Sequence, residues 1–352
     1  MAVTISSDKV KKVCYVVGAS RERTPRATKI GQALKAEIID CPSKLKRYST
    51  FPIVLSAKLT FSSYDLVIVN NIPTHVLFCA WIASKFRGFI LVADFVNFWE
   101  YAVRKKFKWL SGFASRFEKW IYRRLRYGLA INEVIANHAR TAGVAKVKVV
   151  YDAADHEFFK PSFNSDPVVV LAANLRKDEG VDVLLRAMKT VKENVPLSKC
   201  LLAGTGEEEE HLRRLANDLM LGSHIEFLGW IQHSELPRIY ERASIGVIPM
   251  RSVSPLALPI KLFEYMSSGL AVISTDTNTI RTIIEPRKNG LLFQPEDSDA
   301  LASLITQVLL NRSLMSSLQR AARATVDAGL NWKTEAEKLT IFVSDIVSEK
   351  RA

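Results

Sequence analysis

The stretch PIKLFEYMSSGLAVIST, residues 259–275, places two opposite charges on a short apolar helix that runs into a strand. Pro259 suits the start of the helix, Ser-Ser-Gly suits its end, and the apolar, β-branched residues that follow predict a buried strand. Lys261 and Glu264 are spaced i, i+3, and on an exposed helix such a pair contributes only ~0.2–0.5 kcal/mol. Because the neighbours of Glu264 are mostly apolar, we instead expect its carboxylate to face a specific ligand.

The same alternation of helix and strand recurs along the whole chain. Apolar strand segments of the first half lie at 12–18, 36–40, 64–71, 88–95 and 146–153. After a loop with two prolines, a second series of strands lies at 168–175, 198–206, 225–230, 245–250 and 270–276. Strands separated by helices of this length predict parallel, doubly wound sheets. We therefore predict an α/β protein with two Rossmann-like domains that face a central cleft at the carboxyl ends of their strands.

Length, charge and cysteine placement narrow the class of protein. A chain of 352 residues exceeds what one core usually supports, so two domains are expected. The net charge of +13 favours anionic partners, namely nucleic acid, acidic lipid or phosphorylated substrates, and a generally basic surface is the alternative. The four scattered cysteines indicate neither a zinc site nor a disulfide framework, which favours the reducing cytosol. Neither a membrane-spanning run nor a signal peptide is predicted.

Two further loops at predicted strand ends have the composition of an anion site. The loop NLRKDEG (174–180) precedes a helix whose first N–H groups attract anions, and LLAGTGEEEE (201–210) contains glycines that permit a close approach to a ligand. An ordinary solvated turn and a plain strand-to-helix turn explain these two loops equally well. The candidate ligand-binding residues in them are Asn174, Arg176, Lys177, Gly204 and Gly206.

An ordered series of segments resembles the group 1 glycosyltransferases, also called glycosyltransferase family 4, which have the GT-B fold. The segments are VLAANLRKDEGVDVLLRAM, LLAGTGEEEEHLRRLA, IEFLGWIQHSELPRIYERASIGVIPM, PIKLFEYMSSGLAVIST and NGLLFQPEDSDALASLI, in the order of the family. The segment KVKVVYDAADHEFFKP before them resembles the family's hinge signature. The resemblance covers residues 146–325, whereas the first half matches only in its pattern of strands and helices.

The resemblance implies a retaining transfer of a sugar from a nucleoside-diphosphate sugar to an acceptor, such as a lipid-linked saccharide or a surface glycan. It implies no required metal and no other cofactor. Residues 1–158 would form the acceptor-binding domain and residues 159–352 the nucleotide-sugar-binding domain, with the last helix returning to the first domain. Glu264 would hold the ribose and Lys261 the diphosphate, because the charge that develops on the leaving group needs preorganised positive groups. The other donor-binding residues would be Asn174, Arg176, Lys177, Gly204 and Gly206.

Several positions depart from the family pattern. The first acid of the family's Glu-x7-Glu pair is Leu256 here, Asn174 stands at the loop arginine, and Glu179 stands at the loop lysine. Arg176 and Lys177 can supply the missing charge from neighbouring positions. These departures leave two alternatives open, namely a catalytically degenerate GT-B subunit that binds a partner and a sugar-nucleotide epimerase on the same fold.

The first half offers fewer signals of chemistry. Asp94 falls at a strand end where the family often carries a catalytic histidine or acid, so it is the catalytic candidate, and a helix cap is the alternative. Arg21, Arg23 and Arg26 are candidates for contact with a phosphorylated acceptor, and an ordinary basic loop is the alternative. His75 is another candidate acceptor ligand, although a lone histidine more often has a structural role.

Residues 99–128 combine aromatic and basic side chains. Nine basic residues accompany two acids there, and aromatic residues such as Trp99, Trp109 and Trp120 lie among them. Cations interleaved with aromatic rings are what a segment needs to lie on an anionic membrane. Core aromatics under a solvated basic face are one alternative, and a nucleic-acid patch is another, but no nucleic-acid motif accompanies it. We therefore predict a cytoplasmic protein that binds the inner face of the cell membrane through residues 99–128 and binds no nucleic acid.

Overall fold

The computed structural model describes residues 12–17, 25–41, 50–71, 74–98, 111–251 and 258–351. These residues form two compact units. The first contains the described residues up to Asp152 together with those from Lys333 onward, and the second runs from Ala153 to Trp332. The boundary predicted from the sequence lies between residues 158 and 159. The assignment of an acceptor to the first unit and a donor to the second stays a prediction.

A parallel sheet of six strands forms the first unit. The strands are β1 (Val13–Val17), β2 (Glu37–Asp40), β3 (Leu66–Asn70), β4 (Ile90–Phe95), β5 (Tyr127–Ala130) and β6 (Lys146–Val149). They pair in the order β2-β1-β3-β4-β5-β6, with every pair parallel. Every residue of β1, β3 and β4 is buried, as expected of strands covered by helices on both faces.

The helices of the first unit connect these strands. They include α1 (Pro25–Leu34), α2 (Phe51–Thr60), α3 (Thr74–Arg87), α4 (Ser111–Tyr122) and α5 (Glu133–Thr141). The connections from β2 to β3, from β3 to β4 and from β4 to β5 all move in the same direction across the sheet. Right-handed crossovers therefore place α2, α3 and α4 side by side on one face of the sheet.

The second unit repeats this plan with a sheet of its own. Its strands are β7 (Val168–Ala172), β8 (Lys199–Ala203), β9 (Ile225–Gly229), β10 (Ile245–Ile248), β11 (Ala271–Thr275) and β12 (Leu291–Phe293), and they pair in the order β12-β11-β10-β7-β8-β9. Its helices are α6 (Val181–Asn194), α7 (Glu209–Asp218), α8 (Leu236–Glu241), α9 (Ile260–Ser267), α10 (Ser298–Leu310) and α11 (Arg312–Asp327). The predicted α/β class with parallel sheets is confirmed.

The last helix, α12 (Trp332–Arg351), completes the first unit. The carboxylate of Glu335 in its first turn is fully buried, where it accepts a 3.0 Å hydrogen bond from the backbone N–H of Tyr151 and pairs with Lys338 at 2.8 Å. Apolar residues such as Leu339 and Ile346 are fully buried further along the helix. Among the described residues, no helix has the length and hydropathy needed to cross a membrane.

Candidate functional site

Glu264 lies on α9, between β10 and β11, in one of the most deeply buried parts of the second unit. The neighbouring Leu262, Phe263, Tyr265 and Met266 are fully buried, because the helix is apolar around most of its circumference. Glu264 itself is only 6% exposed. A buried carboxylate needs hydrogen-bond donors to offset its lost hydration, so its contacts indicate what the site can do.

The two carboxylate oxygens of Glu264 have different surroundings. The Tyr240 hydroxyl donates to Oε2 at 2.9 Å, and Nε2 of His233 lies 3.1 Å from Oε1. Burial raises the pKa of Tyr240 well above its usual value, and the Glu264 charge adds to the rise, so the phenol stays protonated and donates. The His233 side chain is 66% exposed, and its ring stacks on Phe158. One oxygen is therefore fixed by the core, while the other lies beneath a solvent-exposed side chain.

Lys261 takes its partner from the loop before α6. Its ammonium lies 2.7 Å from Oε2 of Glu179, and the two side chains are only 12% and 14% exposed. The charges of Lys261 and Glu264 thus have separate partners, unlike the i, i+3 pair considered from the sequence. Glu179 stands where the resembling family carries a lysine, so a carboxylate now occupies the neighbourhood predicted to hold a diphosphate.

Two more cations of this region, Arg176 and Arg251, are also paired with acids. Arg176 forms a two-pronged contact with Asp178 at 2.9 and 2.6 Å. Arg251, just after β10, holds Asp182 at 2.8 and 2.7 Å. Burial opposes ionisation of Asp182, but the hydrogen bonds from Arg251 overcome this effect and lower its pKa. The structure therefore pairs the predicted Arg176 and Lys261 with acids of the 174–180 loop, while Asn174 and Lys177 are exposed on that loop.

The two predicted glycines pack against the same loop. A Cβ on Gly204 would lie 1.8 Å from the carbonyl oxygen of Ala173, and a Cβ on Gly206 would lie 2.3 Å from that of Leu175. Gly204 also has φ +141°, which a residue with a side chain rarely adopts. Backbone packing alone thus requires both glycines, and their contact with a donor stays a prediction.

Replacing Gly204 by alanine is expected to destabilise the second unit by ~2–4 kcal/mol without any ligand, because the new methyl group meets the Ala173 carbonyl and the backbone is strained. The measurement is chemical denaturation of the ligand-free protein. Gly222→Ala is the matched control, since Gly222 also has positive φ but has open space around it, and about 1 kcal/mol is expected. If the Gly204→Ala variant keeps its stability but no longer binds nucleotide, Gly204 is needed for contact with the ligand instead.

The catalytic candidate Asp94 lies in a closed network in the first unit. It ends up fully buried near the end of β4, where Nη2 of Arg26 donates to Oδ1 at 2.8 Å and the Tyr15 hydroxyl donates to Oδ2 at 2.5 Å. Arg26, predicted as a contact of a phosphorylated acceptor, is only 5% exposed and also contacts Asp152 at 2.8 Å, so two carboxylates already match its charge. Burial raises the pKa of Tyr15 well above its usual value, and Asp94 adds to the rise. These contacts are those of a buried ion pair, and a catalytic role of Asp94 stays a prediction.

The other candidates in the first half are placed only in part. His75 lies in the first turn of α3 and is partly buried. Arg21, Arg23 and Leu256, together with residues 99–110 of the predicted membrane segment, lie outside the described residues. Within the described ranges, no group of three or more His, Cys, Asp or Glu side chains is arranged to hold a metal ion. Independence from a metal stays a prediction.

Sequence reasoning missed the residues that surround Glu264. His233 and Tyr240 lie in the quoted segment IEFLGWIQHSELPRIYERASIGVIPM, but nothing in their spacing singles them out. They precede Glu264 by 31 and 24 residues, so only the packing of α8 and the preceding turn against α9 brings them to it. Arg251 was missed for the same reason, since its partner Asp182 is 69 residues away.

Comparison with known proteins identifies the family of the second unit. Residues 153–325 match the family model described as glycosyl transferases group 1. This range is nearly the whole of the second unit, which therefore belongs to that family, and the resemblance predicted from the sequence is confirmed. The chain is 27% identical over 181 residues to the GDP-mannose-dependent alpha-(1-6)-phosphatidylinositol monomannoside mannosyltransferase of Mycobacterium tuberculosis strain CDC 1551. That alignment covers 50% of this chain and 47% of the relative, so the chain spans about half the length of this relative.

Solved structures confirm the fold across both units. Sucrose-phosphate synthase from Thermosynechococcus elongatus matches with a TM-score of 0.78 and 16% identity, covering 96% of this chain and 100% of that chain. Anabaena Alr3699/HepE, solved in complex with UDP, matches with a TM-score of 0.77 and 16% identity, covering 95% of this chain and 100% of that chain. At this identity the similarity establishes the GT-B fold alone.

Proposed function

We propose that the chain is a retaining glycosyltransferase that moves a sugar from a nucleoside-diphosphate sugar to a lipid-linked acceptor. The observation that carries the proposal is the buried Glu264 carboxylate, held on one side by Tyr240 and covered on the other by an exposed His233, within a group 1 glycosyl transferase unit. A ribose has two neighbouring hydroxyl donors, and an ionised carboxylate is their natural acceptor. Binding of the ribose at Oε1 requires the His233 ring to move aside or to share the oxygen.

Lys261 would exchange one anion for another during donor binding. In the structure its charge is matched by Glu179 at 2.7 Å. A diphosphate carries more negative charge than a carboxylate and attracts the ammonium more strongly at the same distance. Transfer breaks the bond between the anomeric carbon and a diphosphate oxygen, forms a bond between that carbon and the acceptor oxygen, and moves the hydroxyl proton of the acceptor to the departing diphosphate. The lysine would then stabilise the charge that develops on the departing nucleoside diphosphate.

The acceptor is proposed to be lipid-linked and to be met at the inner face of the cell membrane. Two observations support this proposal. The mannosyltransferase of Mycobacterium tuberculosis is named for a phosphatidylinositol-linked acceptor, and the net charge of +13 attracts anionic surfaces.

A screen of nucleotide-sugars tests the proposed function. The protein is titrated with UDP, GDP and their common sugar conjugates, and the donors that bind are then incubated with membrane lipid extracts. We expect binding of one nucleotide, its release as the diphosphate, and a lipid product heavier by one sugar. The second candidate function is a catalytically degenerate subunit, which the acid partners of Arg176 and Lys261 favour. In that case no nucleotide should bind. Conversion of the sugar without an acceptor would indicate an epimerase.

Glu179→Gln is expected to tighten nucleoside-diphosphate binding about fivefold, because loss of a competing carboxylate worth ~1 kcal/mol frees Lys261 for the diphosphate. Lys261→Met is expected to weaken binding by at least as much. Isothermal titration calorimetry measures both changes, and Glu193→Gln, an exposed acid on α6, is the control. Weaker binding by Glu179→Gln would mean that Glu179 holds Lys261 in its binding position.

A further inference from the structure

The outer face of α2, α3 and α4 in the first unit exposes large apolar side chains. We call this surface the three-helix face. Its apolar residues, with their exposed fractions, are Ile53 (72%), Val54 (62%), Phe61 (88%), Ile82 (36%), Phe86 (76%), Phe113 (63%) and Trp120 (39%). A soluble surface has single exposed apolar residues, whereas a concentration of them on adjacent helices marks an interaction site.

Aromatic rings join α3 and α4 into one layer. Phe78 contacts Phe117 at 5.7 Å and Trp120 at 5.9 Å between ring centroids, and Trp81 contacts Trp120 at 5.7 Å. Phe117 also stacks on the exposed Phe113 at 6.3 Å. The rings therefore pack against one another, and this packing holds the exposed aromatic side chains at fixed positions on the surface.

The charges of the three-helix face are almost all positive. Neither α2 nor α3 contains an acid, and Glu118, the only acid of α4, is buried under the Tyr122 and Thr74 hydroxyls. The cations on these helices and on the turn after α4 are Lys58, Lys85, Arg87, Arg116, Lys119, Arg123, Arg124 and Arg126. Lys58 pairs with Glu37 of β2 and Arg126 lies near Glu349 of α12. Two other cations lie over tryptophan rings, with Lys85 5.6 Å from the Trp81 centroid and Arg124 3.8 Å from the Trp120 centroid.

A basic pocket opens beside this layer. It has a volume of about 210 Å³ and lies at the amino ends of β4 and β5. Its lining includes Trp81, Lys85, Arg124, Arg126 and Lys350. Arg124 donates to the Trp120 carbonyl at 2.7 Å and Lys350 to the Gly88 carbonyl, so both cations are held at the pocket by neutral acceptors. Four cations around a pocket of this size suit one phosphate group.

From this arrangement we infer that the first unit docks on an anionic phospholipid bilayer through the three-helix face, with a headgroup phosphate in the basic pocket. Aliphatic and aromatic side chains enter the boundary between headgroups and acyl chains, while the cations bind lipid phosphates. Nucleic acid offers no apolar phase for Ile53, Val54 and Phe86, which argues against it. The inference rests on the proposed function, because a lipid-linked acceptor lies at such a surface. It extends the membrane contact predicted for residues 99–128 from α4 to α2 and α3.

Co-sedimentation with vesicles tests the docking. The full chain is incubated with vesicles of phosphatidylcholine alone or mixed with phosphatidylglycerol, without nucleotide or acceptor. We expect binding only to the anionic vesicles. The double variant Lys85→Glu/Arg124→Glu should lower the partition coefficient more than tenfold, since each cation near the surface contributes about fivefold. Arg186→Glu/Lys189→Glu, an exposed pair on α6 with the same change in net charge, should lower it less than about threefold.

A second variant separates insertion from simple attraction of charges. Phe86→Ser/Phe113→Ser removes two exposed rings and no charge, and it should reduce binding about tenfold even in high salt, where exposed charges are screened. Hydrogen exchange of β3 and β4 shows whether the first unit of each three-helix variant is still folded. Nucleotide titration without vesicles shows whether the donor site is separate from the docking. Three results would overturn the inference. The Lys85→Glu/Arg124→Glu variant and the α6 control could lose vesicle binding equally, the protein could bind both vesicle types equally, or it could prefer a single-stranded oligonucleotide. A failure of sugar transfer with intact vesicle binding would instead overturn the proposed function.

Discussion

Glu264→Gln is expected to weaken binding of the preferred nucleoside diphosphate by about 100-fold. A hydrogen bond to a charged group contributes ~1.5–3 kcal/mol, and two ribose hydroxyls would lose a charged acceptor, which corresponds to about 3 kcal/mol or a factor of 100 in Kd. Glutamine keeps the volume of the side chain and an acceptor for Tyr240, so the helix α9 should stay in place. Isothermal titration calorimetry gives the affinity, and thermal unfolding shows that the variant is folded.

Two further variants determine whether the effect belongs to the ribose. Glu193→Gln makes the same chemical change on an exposed part of α6 and should leave the affinity unchanged. Tyr240→Phe removes the donor that fixes Oε2 and should weaken binding by a smaller factor of about three to ten, because the carboxylate stays charged but is less well oriented. If Glu264→Gln binds the nucleotide as tightly as the unmodified protein, Glu264 does not hold the ribose.

Asp94→Asn is expected to lower the free energy of unfolding of the first unit by about 3–5 kcal/mol. The substitution removes the fully buried carboxylate that faces Arg26, which is only 5% exposed, and breaking one side of a buried ion pair carries a cost of this size. Because Asp152 still contacts Arg26, we expect a loss at the lower end of this range. Hydrogen exchange of the strands Val13–Val17 and Ile90–Phe95 reports the stability of this unit separately from that of the second unit. Asp345→Asn on the exposed side of α12 should change stability by less than about 0.5 kcal/mol.

A compensated variant distinguishes a structural role of Asp94 from a catalytic one. Arg26→Met/Asp94→Leu replaces both charges by apolar groups and should recover much of the lost stability, because breaking one side of a buried pair costs more than removing the pair. Asp152 and Tyr15 lose a partner in this variant, so full recovery is not expected. If Asp94→Asn is as stable as the unmodified protein but transfers no sugar, Asp94 is catalytic and its ion pair with Arg26 contributes little to stability.

The strands were predictable where burial leaves a continuous apolar run. YDLVIVNN predicts a strand and contains β3 (Leu66–Asn70), because a strand covered on both faces has no polar side. The helix α2 was not predicted, since its sequence FPIVLSAKLT is rich in apolar residues and has no helical period. Ile53 and Val54 explain the missing period, because they are apolar but exposed. A helix whose outer face is also apolar lacks the polar stripe from which a helical period is recognised.

The burial of Glu264 was predictable from the sequence, but its partners were not, and its contact with a ribose stays a prediction. The isolation of this acid within an apolar helix singled it out, and it is buried as an acid with specific partners would be. Its partners and those of Lys261 come from chain segments 24 to 82 residues away, so local spacing carried no information about them. The surroundings of Asp94 were also hidden, because the sequence did not reveal that Arg26, 68 residues earlier, would donate hydrogen bonds to this strand-end acid. A catalytic role of Asp94 stays a prediction.

The discontinuous make-up of the first unit has a consequence for synthesis on the ribosome. Its sheet is translated before the second unit, but the helix α12 that buries Glu335, Leu339 and Ile346 in it is translated after the whole of the second unit. At ~5–20 residues per second, the nascent sheet would wait roughly 10–40 s for this helix. During that interval its uncovered apolar surface is open to chaperones and proteases, whereas the second unit, continuous in sequence, can finish folding as soon as it emerges.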